Sequence, residues 1–598
     1  MYIMGISCFY HDAAVVLIKD GKLICAIEEE RLSRIKHDFG FPKQAIDSCL
    51  EFANIKASEL SFIVFHEKPF RKFERILKTV INTYPKSCSV FNQAMQNWLS
   101  EKLWIKSIIR EYFNISYDKI LFTNHHLAHA ASAFLLCPFK EAAILTIDGV
   151  GEWATNTQGI GKDNDIQILK YIPFPHSLGL LYSVFTAYLG FKINEGEYKV
   201  MGMAAYGRPI YADKIFNNLV QLKSDGSFLL NLDYFSYHYS TKKSYNKKFE
   251  KLFGTPRQRD ENFFTDKFEY PSHFGKKPDN YAQLAQQNQY YADIAASIQK
   301  VTEKIILKQA NSLYELTGLK QLCLAGGVGL NSVVNARLWQ EGPFDKIFIP
   351  PASGDSGAAM GAAFYVYHSI LKNKRNFILE HAFWGKEYSS DEIYTFLKSN
   401  KIPFSSFENK LELIQNTCAE IINGKVIGWF QGRFEWGPRA LGNRSILADP
   451  RNKKMKDIVN LKIKFREPFR PFAPVILEEE LENYFQIKNP QEYPLRFMLM
   501  VLNIKPDKNA LIPAVNHQGT GRVQTIRREW NPLYYDLIAE FKRKTNIPIL
   551  LNTSFNLKNE PIVNSPQNAY NTFINSGLDI LVLGNYMIRK ADLNKKSD

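Results

Sequence analysis

The chain has 598 residues, 45% of them hydrophobic and 14% aromatic, and a formal net charge of +15. This length and composition exclude a disordered chain and predict a globular protein with two or more domains. The 7 cysteines are scattered and form no Cys-x-x-Cys pair. They argue against a disulfide framework or a thiolate zinc site and predict a reducing, cytoplasmic location.

Two features argue against a membrane protein. Residues 1–9 lack a basic segment followed by a long apolar stretch, so we expect no signal peptide. The longest nearly apolar run, 178–191, has about 14 residues, which is too short to cross a bilayer and is typical of a buried helix.

In chain order, the first predicted elements are strands that open an α/β domain. Apolar residues predict strands at 2–8, 13–18 and 23–28, and Lys19-Asp20-Gly21-Lys22 predicts a hairpin turn. Further strand patterns lie at 61–65, 119–122, 142–147, 166–171, 321–324 and 346–349. Amphipathic helices are predicted between them, at 73–81, 293–316 and 358–371.

Strands that alternate with long helices predict an α/β fold with a mostly parallel sheet covered on both faces. Similar strand patterns near residue 2 and near residue 142 indicate a duplicated core. Residues 210–290 are polar and rich in Tyr, Phe and Lys, and indicate an insertion. A polar segment at 368–390 is the predicted domain boundary. A second α/β region follows from about 390 to the end, with helices at 389–399 and 411–422 and a strand at 426–430.

Histidines are concentrated at 125–129. His125 and His129 have i, i+4 spacing, so a helix over 124–134 places their imidazoles on one face, about one turn apart. Asp148 and Asp355, at predicted strand ends, are candidate anionic ligands. Two histidines plus a carboxylate suit non-haem iron(II), and zinc or manganese also accept this set. For a lone His-x-x-x-His, capping or packing histidines are about as frequent as ligands. The two Gly-flanked aspartates favour a metal, and His126, off the ligand face, is expected to pack or hydrogen-bond.

A Gly-Gly loop follows the predicted strand at 321–324. Gly326 and Gly327 allow backbone N–H groups to approach a phosphate or a ribose, and Asn331 lies before a helix whose N-terminus favours an anion. A tight turn explains adjacent glycines equally well. The loops that carry Asp148 and Asp355 are expected to meet this loop in one crevice, where ligands bind in α/β sheets.

Positive charge is concentrated in residues 431–470, which hold eleven Lys or Arg against four acids. The arginines alternate with Trp, Phe, Leu, Gly and Pro, so some are expected to be partly buried, where an unpaired charge costs several kcal/mol. A bound polyanion offsets this cost, so Arg439, Lys464 and Arg470 are predicted to bind phosphate. A solvated basic face is expected for Lys453, Lys454 and Lys456.

Two later polar loops, 517–522 and 551–556, follow strand-like or apolar runs. Arg522, Asn552, Ser554 and Asn556 supply a guanidinium group, amides and a hydroxyl, and are expected to line the same pocket.

Taken together, these motifs resemble the O-carbamoyltransferases of the NodU/CmcH type, which tailor nodulation factors, cephamycins, aminoglycosides and other natural products. The resemblance spans nearly the whole chain. It rests on residues 5–14, 28–37, 125–134 and 199–207, the Gly-Gly loop at 326 and the segment Gly437-Pro-Arg-Ala-Leu-Gly442. One departure is Asn559, where the family usually has Gly just before a Glu. Because Asn also adopts positive φ, we expect the local geometry to be kept.

The resemblance implies two domains. Residues 1–375, with the insertion at about 210–290, would form a domain of the actin-like ATPase superfamily, similar to the metalloprotein that completes threonylcarbamoyl-adenosine in tRNA. Residues 390–598 would form a YrdC-like domain that converts carbamoyl phosphate and ATP into carbamoyl-adenylate, pyrophosphate and phosphate. Lys464 and Arg439 would be catalytic there.

The resemblance also implies the transfer step. The adenylate would pass to the N-terminal domain, where a divalent metal, Fe(II), held by His125, His129, Asp148 and Asp355 orients it. An acceptor hydroxyl would then attack the carbamoyl carbon. His11 matches the family residue that takes the hydroxyl proton.

A tRNA-modifying enzyme is the nearest alternative, because both domains resemble parts of that pathway and the chain is basic. The charge, however, is concentrated in a pocket-like segment, so nucleic acid is not the expected partner. A sugar kinase does not need His-x-x-x-His, and a binding module explains neither the histidines nor the arginines. The expected partner is a small-molecule or sugar acceptor; no membrane association is expected, and a homodimer is left open.

Overall fold

The computed structural model describes residues 1–259, 261–267, 270–271, 274–464, 467, 469–489 and 492–593. The chain forms two compact units. The first comprises Met1–Phe9, Val15–Leu23 and Asn54–Ile378, and the second comprises Tyr10–Ala14, Ile24–Ala53 and Leu379–Asp598. The change of unit after residue 378 falls within the polar segment at 368–390. The grouping of two N-terminal segments with the second unit has no counterpart in the sequence patterns.

The first twelve strands are β1 Tyr2–Ser7, β2 Ala14–Lys19, β3 Lys22–Glu28, β4 Leu60–Phe65, β5 Ile120–Phe122, β6 Glu141–Ile147, β7 Ala154–Lys162, β8 Asp165–Pro173, β9 Val220–Leu222, β10 Phe228–Leu230, β11 Gln321–Ala325 and β12 Lys346–Phe348. The predicted strands in this part of the chain are therefore confirmed, with ends that differ by one or two residues.

Two five-stranded sheets share one topology, with strand orders β3-β2-β1-β4-β5 and β12-β11-β6-β7-β8. In each sheet, three strands that are consecutive in the chain are neighbours. Two later strands extend the sheet in parallel, β4 and β5 beside β1, and β11 and β12 beside β6. This repetition confirms the predicted duplication of the core.

The sheets are mixed, so the prediction of a mostly parallel sheet is wrong. β7 pairs antiparallel with both β6 and β8. The turns between these strands are shorter than the crossover of a dozen or more residues that a parallel pair requires.

The helices of the same part of the chain are α1 Glu30–Ser33, α2 Lys43–Ala53, α3 Pro69–Thr83, α4 Cys88–Ser100, α5 Ile105–Phe113, α6 His125–Phe134, α7 Leu178–Tyr188, α8 Glu197–Ala204, α9 Ala212–Asn218, α10 Lys247–Phe253, α11 Tyr281–Thr317, α12 Ser332–Glu341 and α13 Asp355–Tyr365. Helix α7 confirms the buried helix predicted from the long apolar run. Among the described residues, no helix has both the length and the apolar character needed to cross a bilayer.

Helices α6 and α13 pack closely against each other, and this contact positions the candidate site. A Cβ atom added at Gly361 of α13 would lie 1.8 Å from the carbonyl oxygen of Ala128 in α6. Only glycine fits there, because any side chain would push the two helices apart.

The predicted insertion at 210–290 contains α9, β9, β10, α10 and the first turns of α11. Its aromatic residues are explained in part by packing. Phe249 and Phe253 are buried, with their rings 5.2 and 5.4 Å from the ring of Phe185 in α7. Residues 260, 268, 269, 272 and 273 of this segment lie outside the described residues.

The remaining strands are β13 Ser405–Ser406, β14 Ile427–Phe430, β15 Arg444–Ala448, β16 Ala473–Leu477, β17 Met500–Asn503, β18 Thr520–Ile526, β19 Ile549–Ser554, β20 Ile580–Leu583 and β21 Tyr586–Arg589. They form one nine-stranded sheet in the order β13-β21-β20-β14-β15-β19-β16-β18-β17. Only the pairs β14–β20 and β16–β18 are parallel among the pairings described.

The remaining helices are α14 Ser390–Ser399, α15 Lys410–Ile422, α16 Met455–Val459, α17 Leu481–Tyr484, α18 Tyr493–Arg496, α19 Pro532–Thr545, α20 Pro566–Ile574 and α21 Lys590–Leu593. The predicted elements at 389–399, 411–422 and 426–430 are confirmed. Asn559 has φ +67°, as expected for a position where Gly is usual. The 7 cysteines all lie in described residues and are free.

Candidate metal centre and phosphate site

Helix α6 carries two residues of the candidate metal centre. It begins at His125, which confirms the predicted helix. The Nε2 atoms of His125 and His129 lie 3.1 Å apart, and both side chains are buried. Two ring nitrogens that face each other at this distance require a proton or a cation between them, because two lone pairs would repel.

Two carboxylates complete the cluster, as the sequence predicts. Asp148 follows β6, and its Oδ2 lies 3.0 Å from Nε2 of His125 and 3.8 Å from Nε2 of His129. Asp355 begins α13, and its Oδ1 lies 3.7 and 3.4 Å from the same two nitrogens. The four ligand atoms lie within 4.8 Å of one another. A buried set of two nitrogen and two oxygen donors is suited to a divalent transition metal.

The cluster favours positive charge. Burial raises the pKa of Asp148, but hydrogen bonds from His125 and His129 lower it, with a net value well below the usual range. Burial lowers the pKa of His129, whereas Asp148 and Asp355 raise it, to about 9. The ionised Asp148, with Asp355 beside the same two histidines, thus creates a site that a cation would neutralise.

Two further carboxylates contact His125, and the sequence patterns did not single them out. Glu152 accepts a hydrogen bond from the backbone N of His125 at 2.9 Å and so fixes the start of α6. Oε2 of Glu67 lies 4.0 Å from Nδ1 of His125 and 2.6 Å from Nζ of Lys72. Burial raises the pKa of Glu67, but Lys72 and the nearby His66 lower it below its usual value. Glu67 is therefore ionised beside the ring nitrogen that faces away from the cluster, where metal-binding histidines commonly meet a carboxylate.

One feature of the sequence could have identified Glu67 as a residue of this site. It lies two residues after the end of β4, much as Asp148 lies one residue after β6.

His126 takes the role predicted for it: its Nδ1 lies 2.6 Å from the hydroxyl of Thr146. Burial lowers the pKa of His126 to about 3, so this ring is neutral.

The three Gly-containing loops meet, as predicted. The backbone N of Gly327 donates to Oδ1 of Asp148 at 2.9 Å, and the backbone N of Gly326 donates to the carbonyl of Ser353 at 2.9 Å. Gly326 has φ +92°, and an added Cβ would lie 2.2 Å from the carbonyl oxygen of Ile147, so glycine is required. Asn331 caps α12 by accepting from the backbone N of Val334 at 3.2 Å.

In the second unit, Lys464 lies at the end of a π-helical segment, Asn460–Lys464. Its side chain is buried, and four oxygens lie within hydrogen-bonding distance of Nζ. These are the backbone oxygen of Ser554, its Oγ at 3.2 Å, and the backbone oxygen and Oδ1 of Asn556 at 3.0 and 2.7 Å. Three of the predicted phosphate-binding residues are thus brought together.

Arg439 lies between β14 and β15 and is half-buried. Asn552, on β19, donates from its side-chain amide to the carbonyl of Ala440 at 3.1 Å and to Oε1 of Gln524 at 2.8 Å. Asn552 therefore holds the loop that carries Arg439.

The other two predicted cations are also half-buried. Arg470 precedes β16, and its Nη1 lies 3.4 Å from Oε2 of Glu467. Arg522 lies on β18, the strand next to β16. Residues 465, 466 and 468 of the basic segment lie outside the described residues.

One arginine of the basic segment is satisfied by the protein itself. Arg444 is fully buried, and it donates to the carbonyls of Gln431, Asn443 and Gly432 while its guanidinium lies 3.6 Å from the ring centroid of Phe430. This residue needs no bound anion, so burial alone does not identify a phosphate ligand. Among the lysines of the expected solvated face, Lys453 and Lys454 are exposed and Lys456 is half-buried.

His11 belongs to the second unit and lies in a cluster with a second histidine. Oδ2 of Asp12 lies 3.0 Å from Nδ1 of His11, and Oδ1 lies 2.7 Å from Nδ1 of His37. Asp12 and His37 have φ +51° and +56°, a region that non-glycine residues rarely adopt and that is often retained at functional sites. The carboxylate of Asp12 therefore orients the His11 ring through Nδ1, and Nε2 is the ring nitrogen that does not face Asp12.

Comparison with known proteins identifies relatives along the whole chain. The family models for the carbamoyltransferase N-terminus and C-terminus match residues 2–364 and 418–590. An uncharacterized protein of Synechocystis sp. is 43% identical over 99% of this chain and 97% of its own length. Nodulation protein NolNO of Sinorhizobium fredii is 36% identical over 98% of this chain and 80% of its own length.

Among solved structures, HypF of T. kodakarensis aligns with a TM-score of 0.31 at 15% identity, over 62% of this chain and 48% of that protein. A likeness at this level carries no argument about function.

Proposed function

Because the chain belongs to the carbamoyltransferase family of transferases, we propose that it uses carbamoyl phosphate and ATP to make carbamoyl-adenylate and transfers the carbamoyl group to a hydroxyl of a small-molecule or sugar acceptor. The observation that supports this proposal most is the buried cluster of His125, His129, Asp148 and Asp355 in a chain of this family. The first unit would be an actin-like ATPase-type domain and the second a YrdC-like domain.

The first step is assigned to the second unit. For the atoms to balance, one water is consumed: it displaces phosphate from carbamoyl phosphate, and an oxygen of the resulting carbamate attacks the α-phosphorus of ATP and displaces pyrophosphate. The reactants carry many negative charges. Lys464, Arg439, Arg470 and Arg522 would neutralise the phosphates, because positioned cations stabilise phosphoryl-transfer transition states.

The amide and hydroxyl groups of this unit have supporting roles. Ser554 and Asn556 hold the ammonium of Lys464, and Asn552 holds the loop of Arg439. In the first unit, Gly326, Gly327 and Asn331 are proposed to bind the nucleotide part of the adenylate, because backbone N–H groups at a helix start favour phosphate.

The transfer step is assigned to the histidine-aspartate cluster. Its donors suit a divalent cation, and we propose that His125, His129, Asp148 and Asp355 hold Fe(II). When bound, this ion supplies a Lewis acid that polarises the carbamoyl carbonyl. The protein's contribution is a rigid, dry set of donors: Glu152 fixes the start of α6, and Glu67 lies beside the outer nitrogen of His125.

His11 is proposed as the base that takes the proton of the acceptor hydroxyl. With Nδ1 facing Asp12, its Nε2 is the nitrogen that accepts this proton. The alcohol oxygen attacks the carbamoyl carbon and adenosine monophosphate leaves. The segment at 210–290 is proposed to select the acceptor, and a cytoplasmic location stays a prediction.

The test is turnover with the purified chain. Carbamoyl phosphate and ATP together should release pyrophosphate, and labelled carbamoyl phosphate should label an acceptor drawn from a panel of alcohols and sugars. Binding of tRNA in a gel shift, without pyrophosphate release from carbamoyl phosphate, would instead support the tRNA-modifying alternative.

A further inference from the structure

Residues 28–34, which we call the N-terminal clamp, belong to the second unit although they lie more than 400 positions before the loop they contact. Oε1 of Glu28 accepts a hydrogen bond from the backbone N of Gly437 at 2.8 Å. Nη2 of Arg31 donates to the backbone oxygen of the same glycine at 2.8 Å. Both side chains are buried, and Nε of Arg31 lies 3.5 Å from Oε2 of Glu28. The backbone of Gly437 is therefore held at both its N–H and its carbonyl group.

The clamp holds a second loop through Arg34. Its Nη2 donates to the backbone oxygen of Pro561 at 2.8 Å and its Nη1 donates to that of Ile562 at 2.6 Å. This loop closes on Asn556, whose amide donates to the backbone oxygen of Glu560 at 2.7 Å. Asn556 is in turn a hydrogen-bond partner of Lys464.

The first loop is held on its other side as well. Oε1 of Glu435 accepts from the backbone N atoms of Leu441 and Asn443, each at 2.8 Å. Gly437 has φ +103°, so the turn into the loop is available only to glycine. Arg439 therefore lies on a loop whose two ends are each anchored by a buried carboxylate.

We propose that the N-terminal clamp positions the adenylate-forming site, with Arg31 and Glu28 acting through the loop of Arg439 and Arg34 acting through the loop of Asn556. This inference rests on the function proposed for Lys464 and Arg439. It assigns part of the N-terminal family region to the chemistry of the second unit, and it makes Glu28, Arg31 and Arg34 positioning residues rather than groups that touch substrate.

Two physical arguments favour positioning over mere stabilisation. The guanidinium groups of the clamp bind backbone carbonyls in the loops of Arg439 and Asn556, and a planar fork with several donors sets orientation in a way that a lysine cannot reproduce. A displacement of about 1 Å in a positioned group costs about 10²-fold in rate. The clamp should therefore affect turnover more than it affects the fold.

The first test compares Arg31→Lys and Arg34→Ala with a matched surface variant. We expect each to lower kcat for pyrophosphate release from carbamoyl phosphate and ATP by about 10- to 100-fold, with a smaller change in KM. Arg528→Ala is the control, because Arg528 is exposed and its guanidinium group pairs with Asp536; it should match the wild type. Should Arg31→Lys fail to fold, the half-buried Arg34 carries the test.

The second test asks whether Arg34 acts through Asn556. In an Asn556→Ala background, Arg34→Ala should cause little further loss of pyrophosphate release, because coupled residues are not additive. Independent, additive losses would overturn the proposed route.

The outcomes separate the clamp from the function on which it rests. A wild-type chain that releases no pyrophosphate overturns both. A wild-type chain that does so, with folded Arg31→Lys and Arg34→Ala variants within about threefold of its kcat, overturns the clamp alone.

Discussion

At the scale of single residues, His125 and His129 of α6 place two imidazole nitrogens 3.1 Å apart, close to the carboxylates of Asp148 and Asp355. Deleting one donor should therefore abolish tight binding of a divalent metal, because three donors of uneven distance remain. We expect His129→Ala purified without chelator to carry far less metal than the wild type, as measured by elemental analysis.

The control for this prediction is His126→Gln. His126 is adjacent to the cluster, but its Nδ1 faces Thr146, so this variant should keep its metal. Full metal occupancy in His129→Ala, or a wild-type protein that is active without metal, would contradict the assignment. The identity of the bound ion in the wild type tests Fe(II) separately.

The pair formed by Asp12 and His37 should make the stability of the fold depend on pH. Burial lowers the pKa of His37, but the hydrogen bond and charge of Asp12 raise it above its usual value of about 6.5. A raised folded pKa means that the pair stabilises the fold fully below that usual value and loses this contribution as the pH rises through the folded pKa.

The pKa of Asp12 sets the lower pH limit of this stabilisation. Burial raises this pKa, whereas hydrogen bonds with His11 and His37 lower it, with a net value below its usual one of about 3.9. The carboxylate therefore keeps its charge well into the acid range. Urea unfolding should show a larger loss of stability for His37→Gln at about pH 6 than at about pH 9. Equal losses at both values would show that His37 is not protonated in the fold.

Residue spacing was enough to predict that the side chains of His125 and His129 lie together, because i, i+4 neighbours share one face of a helix whatever the rest of the chain does. Glu28, Arg31 and Arg34 were beyond reach, since their partners lie more than 400 positions away and no local pattern encodes that pairing. Arg444 shows the limit of charge arguments, because backbone carbonyls satisfy its buried guanidinium group.

At the scale of elements, the site depends on the contact between α6 and α13. Gly361→Ala would place Cβ against the backbone of Ala128, which cannot move as a flexible side chain would. We expect a loss of about 1–3 kcal/mol in the free energy of unfolding, as is typical of overpacking, and a weaker metal affinity because Asp355 begins the displaced helix.

The matched control is Gly354→Ala, at the start of the same helix. An added Cβ there meets nothing within 4 Å, and Gly354 has negative φ, so the fold should tolerate the methyl group. Denaturant unfolding and metal competition with a chelator measure both effects. A Gly361→Ala protein as stable as Gly354→Ala would show that the helices separate without cost.

Long periodic elements were predictable, and strand pairing was only partly so. The strand Ala154–Lys162 was missed because it carries Thr, Asn, Gln and Gly where apolar residues would mark a strand. Missing it also hid the antiparallel half of the second sheet, and this omission made the sheet look mostly parallel. The duplication was visible because both halves open with the same short apolar strands.

At the scale of the whole molecule, the proposed chemistry is divided between the two units. In the second unit Ser554 and Asn556 hold Lys464, which we propose binds phosphate, and the first unit contains a histidine-aspartate cluster suited to a cation. The histidine-aspartate cluster and Lys464 belong to different units, so variants of the two should fail in different steps.

Pyrophosphate release and carbamoyl transfer should both be measured in each variant. Lys464→Ala should lose about 10²-fold or more in pyrophosphate release, the size typical of removing one positioned electrostatic contact, and carbamoyl transfer must fall with it. His129→Ala should still release pyrophosphate while failing to carbamoylate any acceptor, because the cluster acts only on the finished adenylate. If His129→Ala abolishes pyrophosphate release in a protein that remains folded and monodisperse, the two steps share one centre and the division of labour is wrong.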